Sequence, residues 1–104
     1  MRILVKKERD PALVRELLEI WESSVRETHL FLSDGEIEKI KEYVPQALIS
    51  VPVLLVAEDE TGALMGFMGI AEKRLEMLFL SKTARGRGIG KRLLQYGMEH
   101  YGVN

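Results

Sequence analysis

Apolar positions along this chain change period repeatedly, and each change marks an element. Arg2 to Lys7 alternates, with Ile3 and Val5 on one face, and reads as a short strand. From Asp10 onward Val14, Leu17, Leu18, Trp21 and Val25 recur at helical spacing and define a buried stripe. Asp10 suits the N-cap and Pro11 the first helical position. Ser33-Asp34-Gly35-Glu36 has the form of a capping box. It opens a second helix with Ile37, Ile40 and Val44 on the inner face, ended near Pro45. Val51 to Glu58 is a β-branched, apolar strand in which Pro52 suits only the beginning. The turn Asp59-Glu60-Thr61-Gly62 joins it to a strand from Leu64 to Ile70, so the two form a hairpin. Glu72-Lys73 turns the chain into a fourth strand, Arg74 to Leu80. A last helix runs to about Tyr101, with Ile89, Leu93, Leu94, Gly97 and Tyr101 facing the sheet. The order is βααβββα, an α/β arrangement.

Length allows one domain, residues 1–104. A chain of this size buries about two-thirds of its unfolded surface, enough for a core with little margin. Hydrophobic content of 46% and charged content of 30% are ordinary for a globular domain. The net charge of −1 provides no basic field to recruit membrane and disfavours a nucleic-acid partner. There are no cysteines, which excludes disulfides, a thiol nucleophile and cysteine-ligated zinc. The apolar run at Ile3 to Val5 is too short for a signal peptide, and no segment approaches membrane-spanning length, so a cytoplasmic location is expected.

Candidate chemistry lies between the fourth strand and the last helix, in Arg85-Gly86-Arg87-Gly88-Ile89-Gly90-Lys91-Arg92-Leu93-Leu94. Three glycines let the backbone approach a ligand closely. The first amides of the helix have no intrahelical partners and sit at the positive end of its dipole. Such a turn is shaped for an anion such as a pyrophosphate. A dinucleotide fingerprint needs G-x-G-x-x-G early in a βαβ unit, with an acidic residue about twenty positions on. Here the glycines alternate, and only 14 residues follow Gly90 (104 − 90). A Walker loop fails too: Arg92 follows Gly90-Lys91, and Arg85 stands where the first glycine belongs. A glycine turn that merely caps a helix is the plain alternative.

Arg85 to Gly90, written R-x-x-G-x-G after an x-L-x-L strand, resembles motif A of the GNAT N-acetyltransferases. Ile20 to Leu32, with its Trp-Ser-Val-Thr-His-Phe-Leu pattern, is similar to the first helix and following loop of the YjaB-like bacterial branch. Met65-Gly66-Phe67-Met68 resembles the V-G-F-M third strand of that branch, with Met65 in place of valine. The resemblance implies the GNAT fold, a mixed, mostly antiparallel α+β sheet with helices on both faces. A complete GNAT domain continues with a fifth strand parallel to the fourth, another helix and a closing hairpin; this chain is expected to lack them.

The implied reaction is transfer of an acetyl group from acetyl-CoA to a primary amine by direct attack. Carried over by position, the backbone of Gly86, Arg87, Gly88, Ile89, Gly90 and Lys91 holds the pyrophosphate, with the Arg85 and Arg87 side chains as aids. Leu78, Phe79 and Leu80 pair through their backbone with the pantetheine arm, as an added strand. An N–H of the same three residues serves the oxyanion. Glu76 is the leading candidate base, since alternation puts it on the face of Leu78 and Leu80. Glu58 and His29 follow. No metal is implied. The family's tyrosine acid belongs to a later helix, and Tyr43, Tyr96 and Tyr101 do not match its position. Without a fifth strand the fourth becomes an open edge, so a homodimer is expected, paired through that edge or completed by a swapped C-terminus. The alternative is a catalytically impaired CoA-binding module that self-associates there. The acceptor, a small molecule or a protein or peptide amine, is set partly by the loop from Thr28 to Gly35, which carries Phe31 and Leu32.

Overall fold

The computed structural model describes residues 1–28 and 31–104. Strand β1 is Arg2–Val5, and helix α1 is Pro11–Thr28. The Asp10 carboxylate accepts the Leu13 amide at 2.8 Å, the cap expected there. Helix α2 is Asp34–Lys41, opened by the expected capping box: Ser33 and Glu36 each accept the other's backbone N–H.

The chain then departs from expectation. Pro45 does not end a helix; it stands in the first turn of a further one, α3, Val44–Ser50. Proline fits there because the first helical N–H groups have no intrahelical acceptor. The far end of α3 is held from outside: the Arg9 guanidinium donates to the carbonyls of Leu48 and Ile49, both at 3.0 Å, and to that of Val51. With the helix broken at Glu42–Tyr43, only Ile37 of α2 is buried, and Ile40, expected inward, is exposed.

Strands β2 (Val53–Glu58), β3 (Leu64–Ala71) and β4 (Arg74–Leu80) follow, then a 3-10 turn, Lys82–Ala84, and helix α4, Ile89–Tyr101. The sheet order is β1-β2-β3-β4, and every described pair is antiparallel. Alternation divides the sheet's side chains between two layers. Leu54, Val56 and Phe67 pack under α1 with Leu17, Trp21 and Val25. Leu55, Ala57, Met68 and Ile70 pack under α4 with Ile89 and Leu93. This is the mixed α+β architecture with helices on both faces. The stripe on α1 and the inner face of α4 fall where the periodicity puts them. Among the described residues no helix is long and apolar enough to cross a membrane.

Candidate active site at the β4 edge and the glycine turn

Strand β4 borders the sheet, and its register decides which backbone groups stay open. Leu80 lies opposite Gly66, Phe79 opposite Phe67 and Leu78 opposite Met68. Ser81 donates its amide to the Met65 carbonyl at 2.8 Å. That bond makes Leu80–Gly66 a pair whose own N–H and C=O groups are not exchanged. By alternation Phe79 gives its groups to β3, while those of Leu78 and Leu80 turn outward. A methyl group on Gly66 would stand 2.9 Å from the Phe79 carbonyl oxygen, which therefore faces β3. Of the three strand residues expected to hold a ligand through their backbone, two present it to the open edge and Phe79 does not.

Directly beyond this edge the chain makes its glycine turn. Gly86 and Gly88 both have φ of 76°, in the left-handed region that disfavours a side chain. A methyl group on either would meet no atom within 4 Å, so the space beside both is open. Arg92 is the first residue of α4 to donate backward, to the Gly88 carbonyl at 3.1 Å. Among the described residues no backbone carbonyl accepts from the amides of Gly86, Arg87, Gly88, Ile89, Gly90 or Lys91. The turn therefore offers consecutive free donors at the positive end of a 13-residue helix.

Leu80 joins the two features. A methyl on Gly66 would lie 2.6 Å from one of its terminal carbons, and a methyl on Gly90 3.3 Å from the other. The two glycines thus let β3 and the start of α4 close around one leucine, which brings edge and turn together.

The charged candidates are distributed less simply. Arg85 does not point at open space: its guanidinium donates from Nη1 to Glu27, in the last turn of α1. Its Nη2 is buried with no hydrogen-bond partner. Lys82 approaches the same carboxylate at 3.5 Å. Arg87 and Lys91 are exposed. Arg87 lines a cavity of about 320 Å³ with Met1, Thr61 and Met65. Asp59, on the same cavity, has its carboxyl held below the usual range, first by the Thr61 hydroxyl, which donates at 2.6 Å, and then by backbone amides.

Glu76 occupies an irregular position. The register steps from Met77 opposite Gly69 to Leu75 opposite Ile70, so Glu76 is the extra residue of a β-bulge. The strict alternation that placed it beside Leu78 and Leu80 is interrupted at this residue. Its side chain is exposed and lies 4.0 Å from Arg74. Glu58 is nearly buried and accepts from Arg2 Nε at 2.9 Å, an ion pair between the β1 and β2 strands. His29 lies outside the described residues. Glu27 is the residue that sequence reasoning missed. Nothing local distinguishes it from the other carboxylates of α1, because its partner Arg85 is 58 positions away.

Comparison with known proteins bears on the same segment. A family model described as an acetyltransferase (GNAT) domain matches residues 51–103, which include β2, β3, β4, the turn and α4. The chain belongs to the GNAT acetyltransferase family. Among GNAT proteins it is similar to the peptidyl-lysine N-acetyltransferase YjaB of Salmonella typhimurium, at 33% identity over 79% of this chain. Against the Escherichia coli YjaB, identity is 34% over 80% of this chain. The chain spans 56% of the length of each of these relatives. The solution structure of apo YjaB from Escherichia coli superposes with a TM-score of 0.80 and 31% identity, covering 95% of this chain and 66% of that one. The PaiA N-acetyltransferase of Thermoplasma acidophilum, crystallised with coenzyme A, shares the fold at a TM-score of 0.74 and 24% identity, over 99% of this chain and 76% of that one.

Proposed function

We propose that this chain binds acetyl-CoA along the β4 edge and the glycine turn, and serves transfer of the acetyl group to a primary amine. The observation that carries the reading is the run of free backbone donors from Gly86 to Lys91, continuous with the outward groups of Leu78 and Leu80. That donor set fits a diphosphate joined to an amide-rich arm. The turn amides suit two adjacent anionic groups. The Leu78 and Leu80 groups suit an extended amide chain, paired as an added strand. When bound, the carrier supplies a thioester whose carbonyl carbon forms a bond to the amine nitrogen as the carbon–sulfur bond breaks, the thiolate leaving and taking up a proton.

The chain's own residues divide the remaining work. An outward N–H at Leu78 or Leu80 stabilises charge on the carbonyl oxygen; one such donor is typically worth about 3 kcal/mol of barrier. Glu76 takes the amine proton: an ordinary lysine amine has a pKa of about 10.4 and must lose a proton before attack. Its exposure on the edge strand leaves it reachable. The YjaB relatives make a peptidyl lysine the first acceptor to offer.

Calorimetric titration with coenzyme A, followed by a thiol-release assay with acetyl-CoA and lysine peptides, tests this. Saturable binding and turnover are expected. Binding without turnover assigns the chain to the CoA-binding module alone. No binding at millimolar coenzyme A refutes the reading. The expected homodimer through β4 would use the same Leu78 and Leu80 groups, so its sedimentation signature is a dimer that coenzyme A dissociates; a monomer at micromolar concentration without coenzyme A removes it.

A further inference from the structure

The contact between Glu27 and the turn joins segments that the reaction keeps apart: the end of α1, beside the loop on the acceptor side, and the segment that receives the anion. Glu27 accepts from Arg85 and pairs with Lys82 at 3.5 Å. Lys82 opens the 3-10 turn Lys82–Ala84, and Arg85 follows it and immediately precedes Gly86. The Arg85 side chain is only 25% exposed, and its Nη2 is already buried without a partner. Taking away Glu27 leaves Nη1 without its acceptor as well. A largely desolvated guanidinium with no counter-charge is costly, and the cheapest relief is to swing out toward water. Because Arg85 immediately precedes Gly86, losing this anchor frees the residue that leads into the turn.

We propose that Glu27 is a positioning residue for the anion turn, and that Arg85 acts as a strut between α1 and the turn rather than as a phosphate ligand. The proposal rests on the reading of the turn as the coenzyme A site. It assigns phosphate binding to backbone amides and to the exposed Lys91 and Arg87. It also places a link between the α1 end and the cofactor side in one carboxylate.

Two measurements on the same proteins test it. Amide NMR spectra of the ligand-free chain report the Gly86, Gly88 and Gly90 resonances directly. Glu27→Ala is expected to move all three, Glu27→Gln to move them less because it keeps an acceptor, and the swap Glu27→Arg/Arg85→Glu to return them toward the parent. Calorimetry with coenzyme A is expected to show at least a tenfold loss for Glu27→Ala and a similar loss for Arg85→Ala. The two together should be little worse than either alone, with recovery to within about threefold in the swap. Glycine resonances unmoved by Glu27→Ala overturn the proposal whether or not coenzyme A binds. A swap that binds more weakly than either single variant also overturns it, because it shows that the cation at position 85 meets the phosphate. A parent that binds no coenzyme A, with glycine resonances that respond as described, defeats the site assignment and leaves the strut standing.

Discussion

Replacing Gly88 separates a turn that grips an anion from a turn that only caps a helix. Its φ of 76° is left-handed, and a side chain there meets open space rather than neighbouring atoms. The stability cost of Gly88→Ala is therefore conformational alone, about 1–2 kcal/mol. In a domain of this size each kcal/mol lowers Tm by about 4–8 °C. Asparagine visits the left-handed region more readily than alanine, so Gly88→Asn loses less. Ligand binding follows the opposite order. Any side chain projects into the open space beside the amides, and asparagine's is the larger. Losing one hydrogen bond to a charged group costs about 1.5–3 kcal/mol, which is roughly a ten- to hundredfold weakening. Gly62 is the control: its φ is 90°, it too has nothing within 4 Å, and it lies in the β2–β3 turn. Thermal unfolding and calorimetry with coenzyme A on Gly88→Ala, Gly88→Asn and Gly62→Asn are the assays. The expected result is a small Tm loss but a large affinity loss for Gly88→Asn, with affinity unchanged for Gly62→Asn. A Gly88→Asn variant that binds like the parent refutes the reasoning and returns the turn to simple capping.

Other outcomes follow from the packing and the charges. Leu17, fully buried between α1 and the sheet, should lose about 2–5 kcal/mol on truncation to alanine, read from urea unfolding. Arg9→Ala removes the bonds to the carbonyls ending α3 and should cost about 1–3 kcal/mol, with lost protection of α3 amides in hydrogen exchange. The carboxyls of Glu22, bonded to Lys41 and Arg26, and of Glu36, bonded to Ser33, are held below their ordinary range. Folded values below unfolded ones mean that their stabilisation is complete above the unfolded carboxylate pKa, about 4.3. It is lost as pH falls through the lowered values. Urea unfolding at pH 7 and pH 3 should show a smaller difference for Glu36→Gln than for the parent, and an unchanged difference counts against that assignment.

Much of this architecture was legible in the sequence because it is local. The α1 stripe, the cap at Asp10, the capping box at Ser33 and the β2–β3 hairpin each depend on residues a few positions apart. Pro45 misled because a proline in the first turn of a helix and one just past its end look alike without the carbonyls that Arg9 collects from 39 to 42 positions away. The glycine turn was legible as a motif, and its two left-handed residues match the need for glycine. The state of the side chains beside it was not. That Arg85 turns to Glu27, and that Glu76 occupies a bulge, are consequences of tertiary contacts and strand register. Periodicity assumes an unbroken ladder, so it misses the residue at which the ladder slips.

Why the edge and the turn form one surface is itself a packing result. A strand that borders a sheet leaves alternate residues with unpaired backbone groups, and a helix start leaves unpaired amides, but neither need lie near the other. Here β4 ends at Leu80 and the helix begins at Ile89, and the intervening chain must double back. Leu80 decides how tightly. Its side chain fills the room that Gly66 on β3 and Gly90 on α4 leave by having no Cβ, with contacts of 2.6 and 3.3 Å to the positions a methyl would take. A side chain at Gly66 would push β4 from its neighbour, since the Phe79 carbonyl, a backbone atom that cannot rotate away, stands 2.9 Å from that position. The outward groups of Leu78 and Leu80 thus continue into the turn amides because two elements on either side of one leucine both carry glycine. The shape that accepts an extended, anion-tipped ligand is a property of that junction.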